Sequence, residues 1–364
     1  MRALLLSAYD AGSHRYWRKG VVANLSSIDW TVLTLPPRYF SWRVRGNPLS
    51  WYAQKKQVLE QSYDLLIATS MVDVATLKGL LPNLATIPTL VYFHENQFAY
   101  PQGSQQKPSI EAQMVSIYNA LAADAIAFNS EYNRGSFLEG VTNLLTKLPD
   151  HAPLTVIDNM VDKSHILPVP IEDAYFINRN SPRSGPLSLV WNHRWEYDKA
   201  PERLFSALKI LANRQIDFKL HILGEQFRTI PPVFDQMKNT FSKQIVNFGY
   251  IEDLAAYQQI LTTTDAVIST SIHEFQGLSV LKATASGCIP VVPDRLSYKE
   301  LFAKQYRYPA SHDLDKEALA LAKHLETLAK TLNSETPINA PNISHLSWSA
   351  MQSAYQQLIS QTAC

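Results

Sequence analysis

The chain has 364 residues, 46% of them hydrophobic and 18% charged, enough apolar material for two buried cores and too much for a disordered chain. Its 33 Lys and Arg nearly balance 32 Asp and Glu, so any polyanionic partner has to be held by a local patch. The two cysteines, Cys288 and Cys364, exclude a disulfide framework or a cysteine-ligated metal site and fit a reducing, cytoplasmic compartment.

The apolar run from Ala3 to Ala8 is too brief for an export signal, and no run approaches the roughly 20 residues a bilayer-crossing helix needs. The segment Ala3–Tyr9 reads instead as a buried parallel strand. The loop after it, up to Arg15, carries one glycine ahead of a predicted helix, so Gly12 and Ser13 are candidates for a phosphate or sugar and His14 for an acceptor; a plain turn carries the same glycine. A second strand, Trp30–Leu35, runs into Leu-Pro-Pro-Arg-Tyr-Phe-Ser-Trp-Arg over 35–43. From Met1 to Glu60 there are nine basic residues against three acidic ones, interleaved with Tyr16, Trp17, Tyr39, Phe40, Trp42, Trp51 and Tyr52. Cations beside rings suit phosphates and stacked bases of single-stranded RNA, with Arg38, Trp42 and Arg43 as contacts; at least half of the rings are expected in the core.

Strands Leu65–Thr69 and Thr89–His94 follow. The second opens onto Tyr92–Pro101, which places His94, Glu95, Asn96 and Gln97 at a strand's C-terminal end, where ligands of open α/β sheets bind. His94 is a candidate for sugar contact or proton transfer, and Glu95, Asn96 and Gln97 for acceptor orientation. Ala125–Phe128 ends likewise in a polar turn with Asn129 and Ser130. The stretch 169–186, rich in Pro, Asn and Gly, breaks both helix and strand and separates a domain at 1–168 from one at 187–346.

In the second half the strand candidates are Leu187–Asn192, Lys219–Leu223, Val246–Phe248, Ala266–Ser269 and Ile289–Val292. After the first comes Asn192-His193-Arg194-Trp195-Glu196-Tyr197-Asp198-Lys199, with Pro201 at a helix start. An Arg fork and a Lys point charge five positions apart can neutralise a pyrophosphate and stabilise it as a leaving group, with no metal required; their plainer role is a solvated pair balanced by Glu196 and Asp198. After Ser269, the run Ser271–Ala283 contains Glu274-Phe275-Gln276-Gly277-Leu278 at a helix start, where free backbone N–H groups attract phosphate and a carboxylate can bind sugar hydroxyls. Glu274 could equally be a helix cap. The segment 347–364 reads as a C-terminal helix with Trp348, Met351, Tyr355, Leu358 and Ile359 on one face.

The Arg194-x-x-x-x-Lys199 and Glu274-Phe275-Gln276-Gly277 elements resemble family 4 of the glycosyltransferases. That resemblance implies a GT-B fold, α/β with two Rossmann-like doubly wound domains facing an interdomain cleft. It assigns Arg194 and Lys199 to the donor diphosphate and Glu274 to the transferred sugar, near the Phe275–Leu278 backbone, with Asn192 beside them. That family usually has a second Glu, for the nucleotide ribose, where this chain has Lys282. A Lys cannot accept from ribose hydroxyls.

Segments 9–14, 33–43, 93–101, 128–130 and 273–277 together resemble the tRNA-queuosine α-mannosyltransferase group over nearly the whole chain. The resemblance implies retaining transfer of mannose from GDP-mannose to queuosine in the anticodon of tRNA-Asp, with His94, Glu274, Arg194 and Lys199 at the reacting centre and no cofactor or metal. Three other readings remain open: a family 4 enzyme acting on a lipid or polysaccharide, a tRNA-binding protein of this fold without transfer, which Lys282 favours, and a sugar-nucleotide epimerase of the same architecture.

Overall fold

A computed structural model describes residues 1–99, 110–148, 152–177, 185–226, 229–332 and 338–364. Tyr100 and Pro101 of the polar loop, and 178–184 of the Pro/Asn-rich stretch, lie outside the described residues. The chain divides into two compact units, 1–170 with 348–364, and 171–347.

The first unit alternates strand and helix: β1 (Arg2–Ser7), α1 (Gly12–Asn24), β2 (Asp29–Thr34), α2 (Phe40–Leu59), β3 (Leu65–Thr69), α3 (Val74–Leu80), α4 (Pro82–Ala85), β4 (Thr89–Phe93), α5 (Ile110–Ala122), β5 (Ala125–Phe128), α6 (Glu131–Lys147), α7 (Val156–Asp162) and β6 (Ser164–Ile166). Its described strands form one parallel sheet in the order β2-β1-β3-β4-β5-β6. The second unit contains β7 (Leu187–Asn192), α8 (Pro201–Asn213), β8 (Phe218–Leu223), α9 (Val233–Thr240), β9 (Ile245–Gly249), α10 (Leu254–Thr263), β10 (Ala266–Ile268), α11 (Leu278–Ala285), β11 (Ile289–Pro293), α12 (Tyr298–Leu301), β12 (Arg307–Tyr308) and α13 (Leu314–Thr331). Its described strands are again parallel, in the order β12-β11-β10-β7-β8-β9. The inner strands β3, β4, β5 and β11 are buried at every residue, as strands covered by helices on both faces must be.

In each sheet the strand order reverses once, between β1 and β3 in the first and between β7 and β10 in the second. Loops leaving the C-terminal ends of two strands that flank a reversal diverge and leave a crevice, which is where open α/β sheets take ligands. In the second unit those loops are 193–199 and 269–277.

Two short edge strands, β6 and β12, have no counterpart among the sequence-derived strands. At three and two residues, they are too short to show a period. The second unit also begins inside the breaker-rich stretch, at Ile171: Ile171 and Tyr175 are buried there, and Ile171 donates its N–H to Leu346.

The last helix, α14 (Trp348–Ala363), belongs to the first unit. The Trp17 indole donates to the Tyr355 hydroxyl at 3.0 Å, and that hydroxyl donates to the Pro168 carbonyl at 3.0 Å. Trp348 lies against Gly20, where a Cβ would come within 2.6 Å of its ring. Among the described residues no helix is long and apolar enough to cross a membrane.

Candidate active site

In the second unit, the two loops at the sheet reversal are stitched together by backbone. Thr270 Oγ1 donates to the Lys199 carbonyl at 2.6 Å, and the Ile272 N–H donates to the Asp198 carbonyl at 2.9 Å. Held this way, Lys199 and Glu274 meet: Nζ is 3.2 Å from Glu274 Oε2, 3.1 Å from Asp198 Oδ2 and 2.9 Å from the His273 carbonyl. The ammonium is almost wholly buried. Burial works to lower its pKa, but the carboxylates of Glu274 and Asp198 outweigh that and raise it. Burial likewise pushes the Glu274 carboxyl up, and Lys199 together with His193 and His273 more than offsets it, so Glu274 is held below its ordinary range. Asp198 is lowered for the same reason, against its own burial, by His273 and Lys199. A buried cation between two carboxylates is a fixed electrostatic device, costly to dismantle and insensitive to pH near neutrality.

Glu274 does not cap α11. Its Oε1 accepts from the neighbouring Phe275 N–H at 3.2 Å, while the N-cap of α11 is Gly277 at φ 78°, with no side-chain cap. The first turn of that helix therefore keeps its backbone donors from side-chain capping, as a phosphate site requires. The left-handed φ favours glycine, and a Cβ there would stand 3.0 Å from Tyr298 Cε1. Phe275, Gln276 and Gly277 are buried in this turn, and His273 packs edge-on against Phe275. Arg194 sits at the rim, about half exposed, its Nη2 3.0 Å from Glu196.

Asn192 closes the floor. Its Nδ2 donates to the Tyr257 hydroxyl at 2.9 Å and to the Ser279 carbonyl at 3.0 Å. His193, which sequence reasoning passed over, is fully enclosed, with Nε2 3.3 Å from the Ile268 carbonyl and Nδ1 3.4 Å from Ser279 Oγ. Burial, reinforced by Lys199, lowers its pKa to about 4, so the ring is neutral. Asp198 and Thr270 were also missed as members of the site. The only sequence signal for Asp198 was its place between Arg194 and Lys199, where a balancing charge seemed sufficient. Lys282 lies on α11 with Nζ 4.9 Å from the Tyr175 ring centroid, and burial lowers its pKa to about 8 despite Glu172.

The first unit carries a separate constellation. His14 Nε2 lies 3.0 and 3.1 Å from the two oxygens of Glu95, and the His14 ring stacks on His94 with centroids 4.3 Å apart. His94 is buried among Trp17, Tyr92 and His14, and neither of its nitrogens has a hydrogen-bond partner among the described residues. Burial, with a contribution from His14, holds its pKa well below the usual histidine value. A neutral, unsatisfied imidazole at a strand's C-terminal end is a costly feature unless a ligand completes it. Gly12 and Ser13, both exposed, form the first turn of α1, whose N-cap Ala11 offers no side-chain acceptor.

Three of the acceptor candidates are spent on architecture. Asn129 donates to the His94 carbonyl at 2.8 Å and accepts from Asn133. Ser130 caps α6 by accepting from the Asn133 N–H at 3.0 Å. Asn96 donates to Asn133 and Ser136 and accepts from the N–H groups of Phe98 and Ala99. Asn129 thus holds the His94 carbonyl directly, Asn96 ties the loop after it to α6, and Ser130 fixes the start of that helix. Gln97, partly exposed, places its amide 3.9 Å from Met71 Sδ.

The basic and aromatic residues of 1–60 also divide. Trp17 and Trp51 are core, Arg18 is paired to Asp10 at 2.8 Å, and Arg45 to Asp73 at 2.7 Å. Arg38, Tyr39, Phe40 and Trp42 stay exposed where α2 begins. The Phe40 ring meets Tyr9, so that helix start adjoins the loop after β1.

Comparison with known proteins agrees with this architecture. A family model described as tRNA-queuosine alpha-mannosyltransferase N-terminal matches residues 2–171, and one described as glycosyl transferases group 1 matches residues 176–332. A Drosophila melanogaster protein described as tRNA-queuosine alpha-mannosyltransferase is 33% identical over 323 residues, which cover 86% of this chain and 85% of that protein. The catalytic domain of starch synthase IV from Arabidopsis thaliana, solved with ADP and acarbose, is similar at a TM-score of 0.67 and 12% identity, over 100% of this chain and 99% of that one. A variant of S. aureus TarM, solved with Fondaparinux, alpha-GlcNAc-glycerol and UDP, is similar at a TM-score of 0.57 and 16% identity over 85% of this chain; the match spans 58% of TarM's own chain. At such identities the structural likeness is one of fold, the paired Rossmann-like units of GT-B glycosyltransferases.

Proposed function

Since this chain belongs to the tRNA-queuosine alpha-mannosyltransferase family and is a glycosyltransferase of GT-B fold, we propose that it moves mannose from GDP-mannose, with retention, to the cyclopentenediol of queuosine in the anticodon of tRNA-Asp. The observation that carries the donor half is the meeting of Lys199 with Glu274 at the reversal point of the second sheet. Glu274 faces the transferred hexose and accepts from its hydroxyls. The diphosphate lies against the first turn of α11, with Lys199 behind it and the Arg194 fork swinging in from the rim. The bond from the sugar's anomeric carbon to the phosphate oxygen breaks as the bond to the acceptor hydroxyl forms on the same face, and the departing phosphate takes the hydroxyl proton. Arg194 and Lys199 supply the positive charge that this leaving group needs, so the scheme calls for no divalent ion.

On the first unit, His94 offers its unsatisfied nitrogens to sugar or acceptor hydroxyls, and His14 with Glu95 orients the acceptor. The tRNA is held through the basic and aromatic residues near the start of α2, including Arg38, and the reaction belongs in the cytoplasm, where that acceptor is found.

The test is incubation of the purified chain with GDP-mannose and tRNA-Asp bearing queuosine, followed by mass spectrometry of the nucleosides. Mannosyl-queuosine is the expected product. Tight RNA binding with no transfer, or mannose appearing in a lipid fraction instead, would overturn the proposal.

A further inference from the structure

The start of α2 shows three features that the core does not require. Its N-cap, Tyr39, is held at φ 56°, a left-handed conformation rare outside glycine. That turn throws the next rings outward: Tyr39, Phe40 and Trp42 are 71%, 40% and 51% exposed, whereas Trp51 on the same helix is 1% exposed. Large rings left in water forgo the burial that drives folding, so a cluster of them marks a surface for something else.

Trp42 is exposed in a particular way. A Cβ built on Gly46 would overlap the ring atoms Cδ2, Cε2 and Cζ2 of Trp42. A single point almost equally close to three consecutive ring atoms can only lie off the ring plane, so the indole covers the glycine with one face. Its other face is open. The ring is thus backed by the helix and presented flat to solvent, a stacking surface with little orientational entropy left to lose.

The next residue, Arg43, is 8% exposed, and its Nε has no hydrogen-bond partner among the described residues. A guanidinium is always charged, and a buried donor left unsatisfied costs on the order of a whole hydrogen bond. The guanidinium has no ion-pair partner among the described residues, so an anion reaching its edge suits it best. The neighbouring guanidinium of Arg38 lies 5.7 Å from the Tyr39 ring centroid and adds a second cation to the same surface. A flat apolar face beside buried and exposed cations fits a nucleotide better than an apolar peptide, which would gain nothing from the unsatisfied donor.

We propose that Trp42, backed by Gly46, is the platform on which one unpaired base of the RNA acceptor stacks, and that Arg43 binds the phosphate next to that base. This rests on the reading of the chain as a tRNA-modifying transferase and specifies how the RNA is gripped. Because stacking tolerates any base, the platform contributes affinity and register, and the identity of the modified nucleoside is read elsewhere.

The experiment uses the full chain and a fluorescently labelled queuosine-containing anticodon stem-loop, with binding measured in a salt series. Trp42→Ala is expected to weaken binding by about 10- to 100-fold, the usual loss of one base stack, with the salt slope unchanged, while Trp42→Phe keeps most of the affinity. Gly46→Ala, which displaces the indole without removing it, reproduces much of the Trp42→Ala loss. Arg43→Gln lowers the salt slope by about one phosphate contact. Thermal unfolding of each variant separates lost contacts from lost folding. A coupled readout then isolates the stack: replacing unpaired loop nucleotides one at a time by abasic ones should weaken wild-type binding at one position, and Trp42→Ala should be indifferent to that same change. Equal affinity of wild type and a folded Trp42→Ala, or no abasic position that couples to it, would overturn the platform. Absence of mannosyl transfer with the stack intact would instead overturn the functional reading, because the binding arm does not depend on transfer.

Discussion

At the residue scale, Lys199 and Arg194 carry the same formal charge but do different work, and their variants should separate. Lys199 lies between Asp198 and Glu274 in a buried setting. Lys199→Met leaves two carboxylates facing each other, so it should cost about 3–5 kcal/mol of stability as well as transfer, seen as a lowered denaturation midpoint. Arg194 is half exposed and paired to Glu196. Arg194→Ala should leave stability within about 0.5 kcal/mol and slow transfer by about 10²- to 10³-fold; a variant with normal turnover would remove it from the diphosphate site. His193 provides a pH prediction of definite sign. Burial, then Lys199, lowers its folded pKa to about 4 from the ordinary histidine value, so the unfolded chain binds a proton that the folded chain refuses. Its contribution is complete above pH 6.5 and falls away by about 3 kcal/mol towards pH 4. Denaturant titrations across that range should show a shallower decline for His193→Asn than for wild type, and equal slopes would exclude the mechanism. Arg194, Lys199 and Glu274 were legible in sequence because cations and a carboxylate recur at loop positions after strands, whereas Asp198 read as no more than a balancing charge. His193 and Thr270 were not legible, since their roles depend on which loops the sheet reversal brings together.

At the scale of elements, two glycines hold the donor loops in shape. Gly224, after β8, has φ 146°, and a Cβ there would overlap the His193 carbonyl. Gly224→Ala should therefore displace the loop that carries Arg194 and lower the unfolding temperature by several degrees. Gly277→Ala, at φ 78° and 3.0 Å from Tyr298, should cost about 1–2 kcal/mol and raise KM for the sugar-nucleotide more than it lowers kcat. An unchanged KM would argue that the first turn of α11 does not meet the donor. Ten apolar runs in the sequence correspond to strands of the two sheets, and the inner ones, buried on both faces, announce themselves by composition alone. What composition could not reveal was whether polar residues after those strands point to a ligand or inward. Asn96 and Asn129 looked like ligand groups and brace the loop that carries His94, while Ser130 caps α6. Side-chain amides serve both purposes equally well, so only their partners decide.

At the scale of the whole molecule, the first unit is built from both ends of the chain, while the second is contiguous. The helical spacing at 348–359 revealed an amphipathic helix but not its destination, because any apolar stripe fits any apolar groove. Removing residues 348–364 should strip Trp17 and Tyr92 of their cover and abolish the Tyr355 bonds to Trp17 and Pro168. The truncated chain is expected to lose the cooperative unfolding of the first unit, read by calorimetry as the disappearance of one transition; two intact transitions would show that the helix is dispensable. There is a consequence for biosynthesis. Domains usually mature in the order in which they leave the ribosome, but here the amino-terminal half has to wait for residues 348–364, with its tryptophan-lined seam uncovered while the whole second unit is being made. Premature termination anywhere in the second half would release a protein whose front end cannot finish, which makes such fragments natural clients for chaperones and proteases.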